Sequence, residues 1–407
     1  MDLWIARQPL LTKALALYGY RLECRPGLDG LPPLDPTVAS AQLIAATVAQ
    51  LGLEELTGGA RALIPVSRAL LVGQYGALLP QDHTVLEVAG DVPADSAAVL
   101  ACTELKRAGY ALAVPAAADP ARNAARLAWA DLLIVDARTA PLPARDRLCR
   151  REARRPATLL AAHLATPARF EAAVAAGYDL FHGPFFTCPS PIRSAGIPTA
   201  RLRYLSLLEA VLAPEVDLRQ VADLIARDAA LAYALLRYIN SAFFAFPRPI
   251  GSVLEGLLLL GERAVVRWAC LMNLAALGAQ APTELLVECA VRARLCELIA
   301  QHCREPVAAG EAFFVGLFSL LEVLLHRPMS AIVAEVPLPA GVKAALLGVR
   351  NPLRDVLDCV LAYVAAEWET FAARLAPLGP VPSEVPRRYR EAVAWARDVL
   401  PMACAQQ

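Results

Sequence analysis

The chain has 407 residues with 39 basic and 39 acidic side chains, so its formal net charge is zero. That balance excludes a global attraction to nucleic acid or to an anionic membrane, and the length allows two domains, each with its own core. The apolar share of 57% comes largely from Ala and Leu, interrupted by Arg, Asp or Glu too often for a run of about 18 apolar residues, so no transmembrane helix is expected.

Asp2, Arg7 and Pro9 leave no uninterrupted apolar stretch near the N-terminus of the kind a secretory signal needs. A cytoplasmic protein is expected, with neither membrane nor nucleic acid as a partner. The ten cysteines form no Cys-x-x-Cys pair, which argues against a zinc ribbon or a thioredoxin-type motif. They read as reduced, small apolar residues.

Up to residue 190 the chain repeats a short β-rich segment followed by a longer Ala/Leu-rich helical one. The expected strands are "LWIAR", "LALYGYRLE", "RALIPVS", "TVLEV", "YALAV", "DLLIVDA", "ATLLAAHL" and "YDLFHGPF". Between them lie patterns such as "PADSAAVLACTELKRAG", with helical apolar spacing and a closing glycine. Eight strands with crossover helices point to a β/α barrel, and the short connection around Thr12 to Ala14 adds one antiparallel strand. Chemistry would then sit at the strand ends. In "YGYRLECR" the charged Arg21, Glu23 and Arg25 alternate with other residues, so all three project from one face of their strand.

The run "RDRLCRREARRP", with Arg145, Arg147, Arg150, Arg151, Arg154 and Arg155, reads as a solvated helix face rather than a phosphate-binding patch. "CPSPIRSAGIP" is a Pro/Gly-rich linker, assigned to residues 191–200. From 201 to 407 the chain reads as helix after helix. Leu231, Ala234, Leu235, Tyr238 and Ile239 form an apolar stripe behind the capping Asp228, and Ser252 with Glu255 forms a capping box for a helix closed by Gly261.

"ARQPLLTKALALYGYRLECR" resembles the opening of EAL domains, the cyclic di-GMP phosphodiesterase barrels. "LIARDAALAYALLRYINSAFF" with "PIGSVLEGLLLLG" is similar to the HDOD domain, a helical module related to the HD hydrolases, and "FFVGLFSLLEVLLHRPM" resembles its later part. The resemblance implies α/β plus all-α architecture: an EAL-type modified (β/α)8 barrel over 1–190 followed by an all-helical HDOD domain with a C-terminal extension over 201–407.

Phosphodiester hydrolysis on an EAL barrel calls for divalent metals on converging carboxylates. Aligned on that family, the chain has Arg21 at the glutamate of the EAL triplet, Pro65 at the asparagine, Pro115 and Ala116 at the Asp pair, Ile134 at the lysine and Ala165 at the late glutamate. His182 replaces the glutamine before Gly183, while Glu87, Asp136 and Arg25 are retained. A guanidinium about 4 Å from a divalent ion is repelled by roughly 8 kcal/mol at an effective dielectric constant of about 20. From this the expectation is a barrel without phosphodiesterase activity, with no catalytic residue, metal or cofactor. Its mouth, Arg21, Glu23, Arg25, Glu87, Asp136 and His182, is read as an ion-paired plug, with a pocket that binds cyclic di-GMP without hydrolysis as the alternative.

In the second half, the related hydrolases read Gly-Leu-Leu-His-Asp where this chain has Gly316, Leu317, Phe318, Ser319 and Leu320. Cys289, Cys296 and Cys303 recur every seven residues beside His302. Positions seven apart on a helix are about 10 Å from each other, too far for one tetrahedral site. Asn240 and Ser241 read equally as a binding pair of the HDOD module or as local backbone caps. The expected function is therefore non-enzymatic: bacterial signal transduction or scaffolding through an unidentified signalling protein, with homodimers through the barrel implied by the resemblance. A surviving phosphodiesterase is the third reading.

Overall fold

A computed structural model describes residues 3–26, 36–46, 52–90, 92, 95–116, 129–138, 142, 157–189, 202–213, 215–240, 244, 246, 248–278 and 281–404. The basic run from Arg145 to Arg155, the linker 191–200 and Ser241 lie outside the described residues. Two compact units emerge: Met1–Cys188 with Leu361–Ala376 and Val381–Arg390, and Pro189–Val360 with Pro377–Pro380 and Glu391–Gln407.

The first unit is built on a closed barrel of eight strands in chain order. They are β1 (Leu3–Thr12), β2 (Leu17–Pro26), β3 (Arg61–Val66), β4 (Thr84–Val88), β5 (Ala111–Pro115), β6 (Leu132–Asp136), β7 (Thr158–Ala162) and β8 (Leu180–His182). Each of the eight overlaps an expected segment, β1 running five residues beyond "LWIAR". β1 runs antiparallel to both its neighbours, β2 and β8, and every other pairing is parallel. Leu15 takes a left-handed φ of 58° in the tight turn between β1 and β2.

Side chains alternate across each strand, and this divides the apolar residues into separate clusters. Leu10, Leu63, Val85, Ala113, Leu132, Leu160 and Leu180 pack together inside the barrel. Tyr20, Leu22, Ile64, Leu86 and Leu112 face outward into a layer shared with the helices Ser96–Arg107 and Pro36–Ala46. The helices start where side chains cap them: Asp95 Oδ1 accepts from Ala98 N at 2.8 Å, and Thr166 Oγ1 from Arg169 N at 3.4 Å. Because Tyr20 and Leu22 point outward, Arg21, Glu23 and Arg25 must take the inner side of β2. The same parity turns Glu87, Asp136 and His182 inward.

The barrel unit also takes in segments from late in the chain. Trp4 of β1 is 1% exposed and meets the Phe371 ring edge-on, with centroids 4.6 Å apart. Tyr363 is fully buried and donates its hydroxyl to Ile5 O at 3.0 Å, while Tyr389 Oη accepts from Arg7 N at 3.3 Å.

The second unit is helical. Leu231, Ala234, Leu235, Tyr238 and Ile239 are all buried along helix Ala229–Ile239, with Asp228 Oδ1 capping Leu231 N at 3.2 Å. Ser252 caps Glu255 N at 3.5 Å, but the Glu255 carboxylate pairs with Arg248 at 2.7 Å. The capping box is thus only half made. Helix Ala309–Phe318 approaches helix Thr283–Ala300 so closely that a Cβ at Gly316 would lie 2.5 Å from Arg292 O. Glu297, 2% exposed, is held between Arg267 and Arg294. Among the described residues no single helix is long and apolar enough to cross a membrane.

Candidate functional site at the barrel mouth

The inward residues at the carboxyl ends of the strands form a charged cluster above the apolar interior. Arg21 lies at its centre. Its Nε and Nη2 donate to Glu87 Oε2 and Oε1 at 2.9 and 3.0 Å, and its Nη1 meets Glu23 Oε1 at 2.9 Å. Burial works against the Arg21 charge, yet Glu87 and Glu23 together outweigh it and hold the guanidinium more firmly protonated than usual. Burial, with the Glu87 carboxylate nearby, pushes Glu23 up despite its contact with Arg21.

Asp136, at the end of β6, faces the same space but is paired with Arg138 at 2.7 Å. Its hydrogen bond from that guanidinium holds its carboxyl below the usual range. His163 follows β7 directly, in the left-handed region at φ 60°, with Nε2 4.0 Å from Asp136 Oδ2. Burial, reinforced by Arg138 and Arg21, keeps its imidazole neutral to lower pH than an exposed histidine. The His163 ring stands edge-on to His182, with centroids 5.4 Å apart.

His182 is 2% exposed, and burial depresses its basicity strongly. Its Nε2 lies 2.8 Å from Gln8 Oε1, and Gln8 Nε2 donates to Ala365 O at 3.0 Å. That orientation makes the glutamine oxygen the acceptor, so the His182 proton resides on Nε2. Its Nδ1 is a buried acceptor with no partner among the described residues. A Cβ at Gly183 would lie 2.5 Å from Leu164 N, so glycine lets the β8 end pass beside the backbone after His163.

Of the six expected mouth residues, Arg21, Glu23 and Glu87 are joined directly, Asp136 acts on Arg21 electrostatically, and Arg21 in turn acts on His182. Arg25 is not part of the cluster: its carboxylate partner is Glu369 at 4.0 Å. Arg138 and His163 are members the sequence reading missed. Arg138 directly follows the expected strand "DLLIVDA", and His163 lies next to the end of the expected strand "ATLLAAHL"; that placement was the available signal.

The resemblance implies a divalent metal, and the residues present do not fit one. Arg21 fills the space between Glu87 and Glu23, and among the described residues no group of three His, Cys, Asp or Glu side chains is arranged to hold a metal ion. The cluster can instead offer guanidinium hydrogen bonds to an anion and a neutral imidazole to a proton.

In the helical unit, Asn240 Oδ1 accepts from Ile250 N at 2.7 Å, and its Nδ2 donates to Ile250 O and Leu236 O at 2.9 and 2.8 Å. These bonds tie the chain across a ten-residue excursion, so Asn240 caps the backbone there. Cys289 and Cys296 are fully buried and burial raises both thiols, so each packs as an apolar residue.

Comparison with known proteins adds to this geometry. Residues 197–327 match the HDOD domain family. YuxH of Bacillus subtilis (strain 168) is 27% identical over 411 residues, covering 98% of this chain and 99% of YuxH. Cyclic di-GMP phosphodiesterase CdgJ of Vibrio cholerae is 28% identical over 403 residues, covering 97% of this chain and 93% of CdgJ. Among solved structures, BlrP1 of Klebsiella pneumoniae in a calcium and cyclic di-GMP complex is similar at TM-score 0.37 and 16% identity, covering 45% of this chain and 54% of that one.

An eight-stranded barrel whose first strand runs antiparallel, followed by a segment that matches the HDOD family, gives this chain the two-part organisation that its resemblance to EAL–HDOD proteins implies. The expectation that it is not an enzyme is corrected by CdgJ, a relative named as a phosphodiesterase that aligns with nearly the whole chain. Substitution of the family's ligand positions at the mouth does not by itself imply lost activity.

Proposed function

We propose that the protein works in cyclic di-GMP signalling: the barrel mouth engages the phosphodiester of the dinucleotide and acts on it, and the HDOD domain meets a protein partner. The observation that carries this reading is the likeness to CdgJ, which runs through barrel and HDOD domain alike. The chemistry at the mouth is compatible with it. Arg21 and the 65%-exposed Arg138 side chain supply guanidinium groups suited to phosphate oxygens. His163, held near Asp136, supplies a neutral imidazole that can take a proton.

The test is incubation of the full chain with cyclic di-GMP, followed by chromatography of the nucleotides and calorimetric titration of binding. Conversion to a linear dinucleotide, reduced in Arg138→Ala and His163→Gln, is the expected result. Absence of both binding and conversion overturns the proposal.

A further inference from the structure

Glu23 and Glu87 both hold Arg21 at one end of the barrel, and Asp136 acts on it from β6; carboxylates are the hard oxygen donors that a divalent cation takes. Here a side chain of the protein stands among them. Arg21 makes two hydrogen bonds to Glu87 and one contact to Glu23. A guanidinium carries five N–H bonds in a fixed plane, so about two of them remain uncommitted. The Arg21 side chain is 18% exposed, so part of it reaches solvent at the mouth.

We propose that Arg21 is the resident cation of this site: it takes the place of a divalent ion between Glu87 and Glu23, and turns its remaining N–H bonds to a non-bridging oxygen of the phosphodiester. The dinucleotide is then held without metal. This rests on the reading of the barrel mouth as the site where cyclic di-GMP is engaged, and it specifies how.

The arrangement has a built-in cost. Glu23, Glu87 and Asp136 outnumber Arg21 and Arg138 by one charge, so the mouth opposes an anion unless one carboxylate is neutralised or moved aside. Glu23 and Asp136 lie at the edge, each with its side chain 32% exposed against 10% for Glu87, and Asp136 is already held by Arg138, which leaves Glu23 as the one to change. Replacing it with the isosteric amide keeps a hydrogen-bond acceptor beside Arg21 and removes one like charge. Glu23→Gln therefore tightens anion binding, an effect that a plug with no ligand would not show.

The experiment is calorimetric titration of the full chain with cyclic di-GMP, once in EDTA and once in manganese, together with titration of manganese alone. Equal affinity in EDTA and in manganese is expected, with no binding of manganese alone. Arg21→Met weakens dinucleotide binding by about tenfold or more, the share of a charge-assisted hydrogen bond. Arg21→Glu binds manganese where the wild type does not. Thermal unfolding establishes which variants are folded; if the Arg21 variants are not, Glu23→Gln and the EDTA comparison decide alone. Binding that requires manganese overturns the inference and leaves the proposed function standing. Binding in neither condition overturns both, and binding in EDTA that survives folded Arg21→Met removes Arg21 from the site.

Discussion

Arg21 and Glu87 face each other from β2 and β4, one strand apart, through two parallel hydrogen bonds of 2.9 and 3.0 Å. The intervening strand presents Leu63 and Pro65 toward them, neither of which competes for the charges. Removing one partner leaves the other charge in a largely buried place. Arg21→Met is expected to lower the stability of the barrel by about 3 kcal/mol. The double variant Arg21→Met/Glu87→Gln should recover part of that loss in a urea-unfolding cycle; equal losses in single and double variants would contradict the pairing.

Glu23 gives the protein a specific pH response. Its carboxyl holds its proton more tightly when folded than when unfolded, mainly through burial and the Glu87 charge. Its contribution is therefore fully present below the unfolded value and is lost as pH rises through the folded one. The difference in thermal unfolding temperature between Glu23→Gln and wild type should grow across that window in favour of the variant.

His163 shifts the opposite way. Its folded imidazole gives up its proton at lower pH than an exposed histidine, first through burial and then through Arg138. The stability it contributes is present above the unfolded value and lost as pH falls through the folded one. In an NMR titration of labelled histidines, Arg138→Ala should move the His163 transition upward. An unchanged transition would mean that the two groups are not coupled.

Late segments are part of the barrel's fabric. Tyr363→Phe removes the hydroxyl bond to Ile5 O and should cost about 1 kcal/mol. Phe371→Ala opens a cavity beside Trp4 and should cost about 3–5 kcal/mol. Both losses should appear in the unfolding transition reported by barrel signals, although the residues follow the HDOD sequence.

Asn240 is predicted to matter for folding more than for binding. Asn240→Ala leaves Ile250 N and O without their side-chain partner and should cost about 2 kcal/mol. Asn240→Asp can still accept from Ile250 N but cannot donate, so an intermediate loss is expected in chemical denaturation.

The strands were legible because short apolar runs such as "TVLEV" and "DLLIVDA" recur between longer helical patterns, and side-chain alternation places Arg21, Glu87 and Asp136 on one surface. Arg25 shares that parity, yet it pairs with Glu369, a residue no local pattern could connect with β2. His163 breaks the parity through its left-handed backbone, so a strand-based reading passes over it. The aromatic group of Trp4, Tyr363 and Phe371 was equally hidden, since helical periodicity tells which face is buried but not what buries it.

That group has a consequence for how the protein is made. The ribosome delivers the eight strands first and the covering Tyr363 and Phe371 only after the HDOD residues 197–327 have emerged. Trp4 thus waits for these partners until the residues after the HDOD segment have been made. The nascent barrel is an unfinished surface whose completion depends on the last part of the chain, so a stalled or truncated message yields a barrel exposed to chaperones and proteases.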